Sequence, residues 1–358
     1  MTQTTGARPS SPSLLAEVRN AVTPRATLLV LGVLALQLLF ITSYVGALHQ
    51  PKLRDAPFGV AAPPAVAEQA VTRLEQLPGS PLDPRAVADE ATARQQILDR
   101  KIDGALVVAP SGTTDTLLVA TGGGTSLATA LEKLAVTLEE EQQRTVRVVD
   151  VAPTSSRDAN GLSSFYVVVG WCVGGYLCAS ILAISSGARP STPRRAGIRL
   201  ATLVLVAIVG GLGGALIAGP ALGAVPGGFL ALWGLGALIT FAVGAATLAL
   251  QSLLGVVGIG VAILIVVILG NPSSGGALPP PLLPPFWEAI GPALPPGAGT
   301  WAARSITYFD GNALTGSLLV LSAWAVVGVA VTMGAALLHA RSDPTPPTPP
   351  HADAPPTA

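Results

Sequence analysis

The chain has 358 residues, 50% of them hydrophobic and only 11% charged, with 20 basic residues balancing 20 acidic ones and a mean hydropathy of +0.59. No Asp, Glu, Lys, Arg or His occurs from Leu200 to Trp287, which excludes a soluble domain there, because a folded surface needs charge to stay dispersed in water. Charge is segregated ahead of Gly161 and at a few later boundaries, so the composition predicts a polytopic α-helical membrane protein with one water-exposed insert and no nucleic-acid partner.

Residues 1–26 form a leader in which Ser11-Pro12 can cap a short amphipathic helix. Leu14, Leu15, Val18 and Val22 would share its apolar face and rest on the cytoplasmic surface of the bilayer. Thr27–Leu48 meets the requirement of about 20 apolar residues for a first span. Its length and the lack of a small-residue cleavage site make it a signal anchor rather than a cleaved peptide. Residues 49–162 are mildly acidic and have mixed periodicity. Ala65–Leu77, Arg85–Arg100 and Thr125–Gln143 read as helices, the last with Leu127, Leu131, Leu134 and Leu138 on one face. Ala105–Ala109, Thr116–Ala120 and Thr145–Val151 read as strands, which predicts a small extracytoplasmic α/β domain with a mixed sheet, inserted between spans one and two. The run Thr121-Gly122-Gly123-Gly124-Thr125 lacks the Gly-Lys-Ser/Thr of a phosphate-binding loop and is predicted as a turn with Thr125 as helix cap.

Phe165–Ser185, within residues 163–186, gives a second span. Cys172 and Cys178 lie six residues apart on different faces of it, as packing residues rather than a bridge or metal pair. An Arg-rich loop, residues 187–199, precedes the third span, Leu200–Ala218, which Gly219-Pro220 and Pro226-Gly227-Gly228 end. Phe229–Gly270 is apolar throughout and would stretch about 63 Å as a helix, roughly twice the hydrocarbon core. It is split at Gln251-Ser252, its most polar point, into spans four and five. Residues 271–313 hold Asn271-Pro272-Ser273-Ser274-Gly275-Gly276, Pro279-Pro280-Pro281, Pro284-Pro285 and Phe286-Trp287. These breakers suit a re-entrant element at the outer interface, with Trp287 and Trp301 among headgroups, and equally an ordinary interfacial loop. Leu314–His339 is the sixth span, and residues 341–358 end in a Pro-rich, disordered tail. Arg8, Arg19 and Arg25, then Arg189, Arg194, Arg195 and Arg199, then Arg341, all fall on one side of six spans. The positive-inside rule makes that side the cytoplasm and places both termini there, in the cell membrane.

Little in the chain carries chemistry. His49, His339 and His351 sit at span borders or in the tail, metal-ligand spacing is absent, and there is no Walker motif, so neither a cofactor nor catalysis by this chain alone is expected. Spans two to six hold no interior charge, which disfavours an ion-coupled transporter. Gly170/Gly174 and Gly210/Gly214 have the small-xxx-small spacing of close helix approach, within the chain or across a dimer seam.

The order of one span, an α/β insert, five spans and an Asn-Pro-x-Ser-Gly-Gly turn resembles the ABC-2 type permeases, the type-2 ABC exporter architecture. Two further stretches resemble the phage-infection-protein-like branch of Gram-positive bacteria. They are Ala93-x-x-x-Ile97-x-x-x-Lys101-x-x-Gly104-Ala105, and Asp150-Val151-Ala152-Pro153 followed by Asp158-x-x-Gly161-Leu162-x-x-Phe165-Tyr166. The resemblance implies a homo- or heterodimeric permease in the lipid bilayer, driven by a separate cytoplasmic ABC ATPase. That ATPase would dock on Leu14, Leu15, Val18, Arg194 and Arg195. An outer gate would be built from Asn271, Pro272, Ser274, Gly275, Gly276 and Trp287. The alternative is a non-transporting surface protein whose insert binds a wall component, a phage or a protein partner.

Overall fold

The computed structural model describes residues 23–187 and 192–342. The leader positions Leu14, Leu15 and Val18, and the tail from Asp343 onward, lie outside the described residues. Five helices are long and apolar enough to cross a bilayer: Ala26–Leu48, Ser163–Ser186, Pro193–Ala221, Phe229–Leu254 and Thr315–Arg341. Their outward faces carry Leu28, Ile184, Val209, Leu319 and Val326, each more than half exposed. Such a belt is at home only in an apolar solvent, as a membrane-embedded protein requires.

Helix α1 (Pro24–Leu48) begins at Thr23, whose hydroxyl accepts from the Ala26 amide at 3.2 Å. It stands at the periphery. The chain then builds β1 (Ala56–Ala61), α2 (Pro64–Glu75), β2 (Leu82–Val87), α3 (Glu90–Leu98), β3 (Gly104–Val107), β4 (Thr114–Val119), α4 (Thr125–Glu140) and β5 (Thr145–Asp150). The five strands form one mixed sheet in the order β2-β1-β3-β4-β5, antiparallel only between β3 and β4. Strand alternation sends Phe58, Val60, Leu106 and Leu117 to one face, under α2 and α4, and Val87, Ala105 and Leu118 to the other, under α3. The expected helix over Arg85–Arg100 starts late. Arg85–Val87 belong to edge strand β2, where Pro84 is tolerated, and Asp89 starts α3 by accepting from the Thr92 amide at 2.7 Å.

The bundle comprises α5 (Ser163–Ser186), α6 (Pro193–Leu216), α7 (Phe229–Leu254), α8 (Val257–Ile263, continued to Gly270 in wider π turns), α9 (Pro285–Ile290), α10 (Pro295–Tyr308) and α11 (Thr315–Ser342). Helix α7 is its centre: α5, α6 and α11 all pack on it. The close approaches are made by Gly175 against Thr240 and Gly244, and by Gly211 against Trp233 and Ala237. They fall one residue along from Gly174 and Gly210. Gly170, Gly174 and Gly210 meet nothing, and Gly214 receives the Trp171 ring. Both cysteines are free thiols.

Two expected boundaries move. The break after span four falls at Gly255 (φ 63°), not at Gln251-Ser252. A reversal needs backbone freedom rather than polarity, and Gln251 and Ser252 stay buried inside α7. The next segment, Val257–Gly270, is about 21 Å long at helical rise, short of the hydrocarbon core. It lies against α1, with the Ser43 hydroxyl donating to the Ile268 carbonyl. The Arg-rich loop is also shorter than expected, because α6 already begins at Pro193, capped by Thr192. Buried Arg199 folds back to donate to the Ser186 and Gly187 carbonyls, complementing the negative end of α5.

Candidate functional site: the junction of sheet and bundle

Residues 271–313 were expected as a loop with re-entrant character. They form a turn, short 3-10 pieces, α9 and α10. Helix α10 is almost entirely buried in the bundle core, with Ala298, Ala302 and Ala303 against Val168, Leu232 and Ile239. Small residues make this possible. Gly299 packs so closely on Ile239 and Val168 that a Cβ would come within 2.8 Å of each. At its start, Pro295 borders a small void with Val243, Ala246 and Leu250 of α7 and Trp324 of α11. Ala246 lies about 26 Å along α7 from Phe229, so the segment dips deep into the bundle before climbing back to the sheet.

Arg304, on α10, ties the junction together. Its Nη1 donates to the carbonyls of Gly123 (3.0 Å) and Gly275 (2.7 Å), and its Nη2 to those of Gly276 (2.8 Å) and Gly161 (3.4 Å). Four carbonyls from three separate segments therefore share one buried cation through charge-assisted bonds. Nearby, the Asp158 carboxylate accepts from the Leu162 and Ser163 amides at 3.1 Å each, at the start of α5, and from the Tyr308 hydroxyl at 3.3 Å.

The glycine run of the sheet unit meets this arrangement. A Cβ on Gly122 would lie 2.6 Å from the Tyr308 ring, and one on Gly124 (φ 150°) 2.2 Å from Pro279. The run exists for close approach, and Gly124 rather than Thr125 precedes the helix. Thr125 instead donates its hydroxyl to the Asn160 carbonyl at 2.9 Å.

A second arginine reaches across from the sheet unit. Arg100 follows α3 in left-handed backbone (φ 59°), a conformation that costs a non-glycine residue about 1 kcal/mol or more. That twist lays its guanidinium 3.4 Å over the Trp301 ring, while its Nη1 donates to the Trp301 carbonyl (2.9 Å) and the Ser305 hydroxyl (2.7 Å). Trp301, expected among headgroups, is thus the platform for Arg100.

Between the sheet unit and the bundle lies a cavity of about 300 Å³. Arg100 and Asp103 contribute from the sheet unit, Ser274 and Gly275 from the turn, and Trp301 and Arg304 from α10. Burial pushes the Asp103 carboxyl up to about 6, against the opposing pull of Arg100. Two cations, one carboxyl that titrates below neutrality and apolar walls can hold an amphipathic group. No metal-holding cluster of His, Cys, Asp or Glu occurs among the described residues.

No family model, curated protein or solved structure matches this chain.

The expected gate residues are brought together only in part. Ser274 and Gly275 line the cavity, and Pro272 and Gly276 are buried beside it, Gly276 against Phe165. Asn271 lies next to Tyr44 of α1. Trp287 sits apart on α9, ring edge to face with exposed Phe286. Arg194 and Arg195 are exposed on the first turn of α6, at the opposite end of the bundle. Arg100, Asp103 and Arg304 were missed as site residues. For Arg304 a signal existed: it is the one charge between Glu288 and Asp310, in a run of small residues.

Proposed function

We propose that this chain is the membrane-spanning permease subunit of an ABC-2 type exporter, moving an amphipathic or envelope-related substrate with energy from a separate cytoplasmic ATPase. The observation that carries the reading is the buried re-entrant helix α10, which Arg304 couples to the sheet unit beside a cavity of mixed polarity. A helix packed in the bundle core and tied at its far end to the sheet unit through carbonyl acceptors of one side chain can pass a movement of that unit to an outlet at the mouth of the bundle. In this reading Val257–Gly270 is the fifth of six spans, the sheet unit is extracytoplasmic, both termini are cytoplasmic, and the functional unit is a homo- or heterodimer in the cell membrane. The ATPase docks on Leu14, Leu15, Val18, Arg194 and Arg195.

The test is purification of the tagged chain in nanodiscs from its native host. The expected result is a co-purifying ATPase whose hydrolysis is lost when Leu14, Leu15 and Val18 are replaced by Asp. A clean homo-oligomer without nucleotide hydrolysis would overturn the proposal and leave the membrane-anchored surface protein as the better account.

A further inference from the structure

A second cavity, of about 320 Å³, lies wholly within the sheet unit and plays no part in the junction. Helices α2 and α4 cover the same face of the sheet without closing on each other, and the gap between them is floored by Phe58, Leu82 and Leu106. Its walls are Val66, Ala70 and Leu74 on one side and Leu131, Ala135 and Leu138 on the other. The size falls at the lower end of small-molecule sites, which are apolar with a few placed polar groups.

The charged groups of the lining gather at one end, and only one of them leaves a buried oxygen with no hydrogen bond among the described residues. Arg144 donates to both oxygens of Asp115, at 2.6 and 2.5 Å, and Asp115 also accepts from the Ala109 amide at 2.7 Å. Arg73 pairs with Glu141 at 3.7 Å. The exception is Glu139 on α4. Its side chain is only 6% exposed, and its Oε2 has a loose ion pair with the Arg144 Nε at 3.6 Å but no hydrogen bond among the described residues. A buried carboxyl oxygen left without a donor costs about 1–3 kcal/mol or more, and this one borders the cavity.

We propose that this cleft binds an uncharged amphipath, a single acyl or alkyl chain lying between α2 and α4 with a hydroxyl-bearing head that donates to Glu139. The apolar length of the cleft selects the chain. Arg73 pairs with Glu141, and Arg144 with Asp115 and Glu139, so an anionic head finds no free cation. Glu139 supplies the missing acceptor for a neutral donor. Burial and the neighbouring Asp115 push the Glu139 carboxyl up to about 7, with Arg144 and Arg73 opposing; a carboxyl that easily keeps its proton offers little charge to a cationic head and can still accept from a hydroxyl. The inference stands whether or not the chain transports anything.

The test uses the full chain in nanodiscs and a photoreactive monolauroylglycerol, with adducts mapped by mass spectrometry. Adducts are expected on α2 and α4, competed by plain monolauroylglycerol at least tenfold better than by lauric acid or dodecylammonium. Ala70→Phe, which fills the cleft from a half-buried position, should remove them while the thermal unfolding curve stays unchanged. Glu139→Gln keeps the shape and removes the ionisable carboxyl, so lauric acid should then compete at least fivefold better than before. Adducts confined to the spanning helices, adducts indifferent to Ala70→Phe, or equal competition by all three head types would each overturn the proposal.

Discussion

Arg304 and Gln251 are both polar and almost wholly buried, at opposite ends of the same bundle, and their surroundings differ. Arg304, at the sheet end, spreads its charge over four carbonyls. Gln251, one turn before the Gly255 reversal, has neither amide atom hydrogen-bonded among the described residues. A fully charged group would be the more expensive to bury, yet it is the one whose needs are met. One end of the bundle is thus locked by four hydrogen bonds from one buried cation; at the other, Arg199 ties α6 to the end of α5, while Gln251 on the central helix is held by packing alone. In an exporter this is the order expected if the described state is closed at the sheet end, with the opposite end left free to rearrange.

The largest expected effect comes from breaking the lock. Arg304→Met keeps most of the volume and removes all four donors, stranding carbonyls of Gly123, Gly161, Gly275 and Gly276. Bonds to a charged group contribute about 1.5–3 kcal/mol each, and a buried carbonyl left without a donor costs about 1–3 kcal/mol. Thermal unfolding in detergent should shift down by several degrees, and protease should open the chain between the sheet unit and α5. Arg304→Lys, with a single ammonium in place of a planar fork, should fall between the two. A melting curve unchanged by Arg304→Met would remove the basis of the comparison.

A smaller effect, with a sign fixed by pH, tests the cavity beside the lock. The Asp103 carboxyl is raised to about 6 in the folded chain, against about 3.9 when unfolded. Between those values the folded state binds the proton and the unfolded state does not, so stability falls as pH rises. The contribution is fully present below about pH 4 and is gone above about pH 6. Asp103→Asn should flatten unfolding across that window and leave the variant more stable than the parent at pH 7. A slope of the opposite sign would mean that Arg100 outweighs the burial of Asp103.

How far the fold was legible follows from what each signal depends on. Runs such as Phe165–Ser185 declare a span because twenty apolar residues have few other uses. Strand β1 was missed because Ala56–Ala61 is short, broken by Pro57 and Gly59, and gains its identity only by pairing with β2 and β3. Polarity at Gln251 predicts the reversal after α7 four residues early, while the chain turns on the positive φ of Gly255. The turn Asn271–Gly276 stood out through its breakers, but its acceptors for Arg304 are backbone carbonyls, which every residue has and no sequence pattern advertises. Arg100 lies between Ile97 and Lys101 of the permease-like stretch, and its stacking on Trp301 depends on two segments about 200 residues apart meeting in space.

The smallest expected effect concerns Gln251, and it runs the other way. Gln251→Met replaces an unpaired amide with a side chain of similar length that fills the same space. Leaving a neutral polar group buried without a partner costs about 1–3 kcal/mol, so the isolated chain should gain stability and melt later. An exporter that uses this end to rearrange should gain that stability at the expense of turnover, because the amide would pair with backbone or water only once α7 and α8 separate. Thermal unfolding and the hydrolysis rate of the ATPase complex, measured together, therefore separate two cases. A later melt with slower turnover fits an amide held unpaired for use in a second conformation. A later melt with unchanged turnover makes Gln251 a packing flaw, and an earlier melt means that its amide is already satisfied, which would erase the contrast with Arg304.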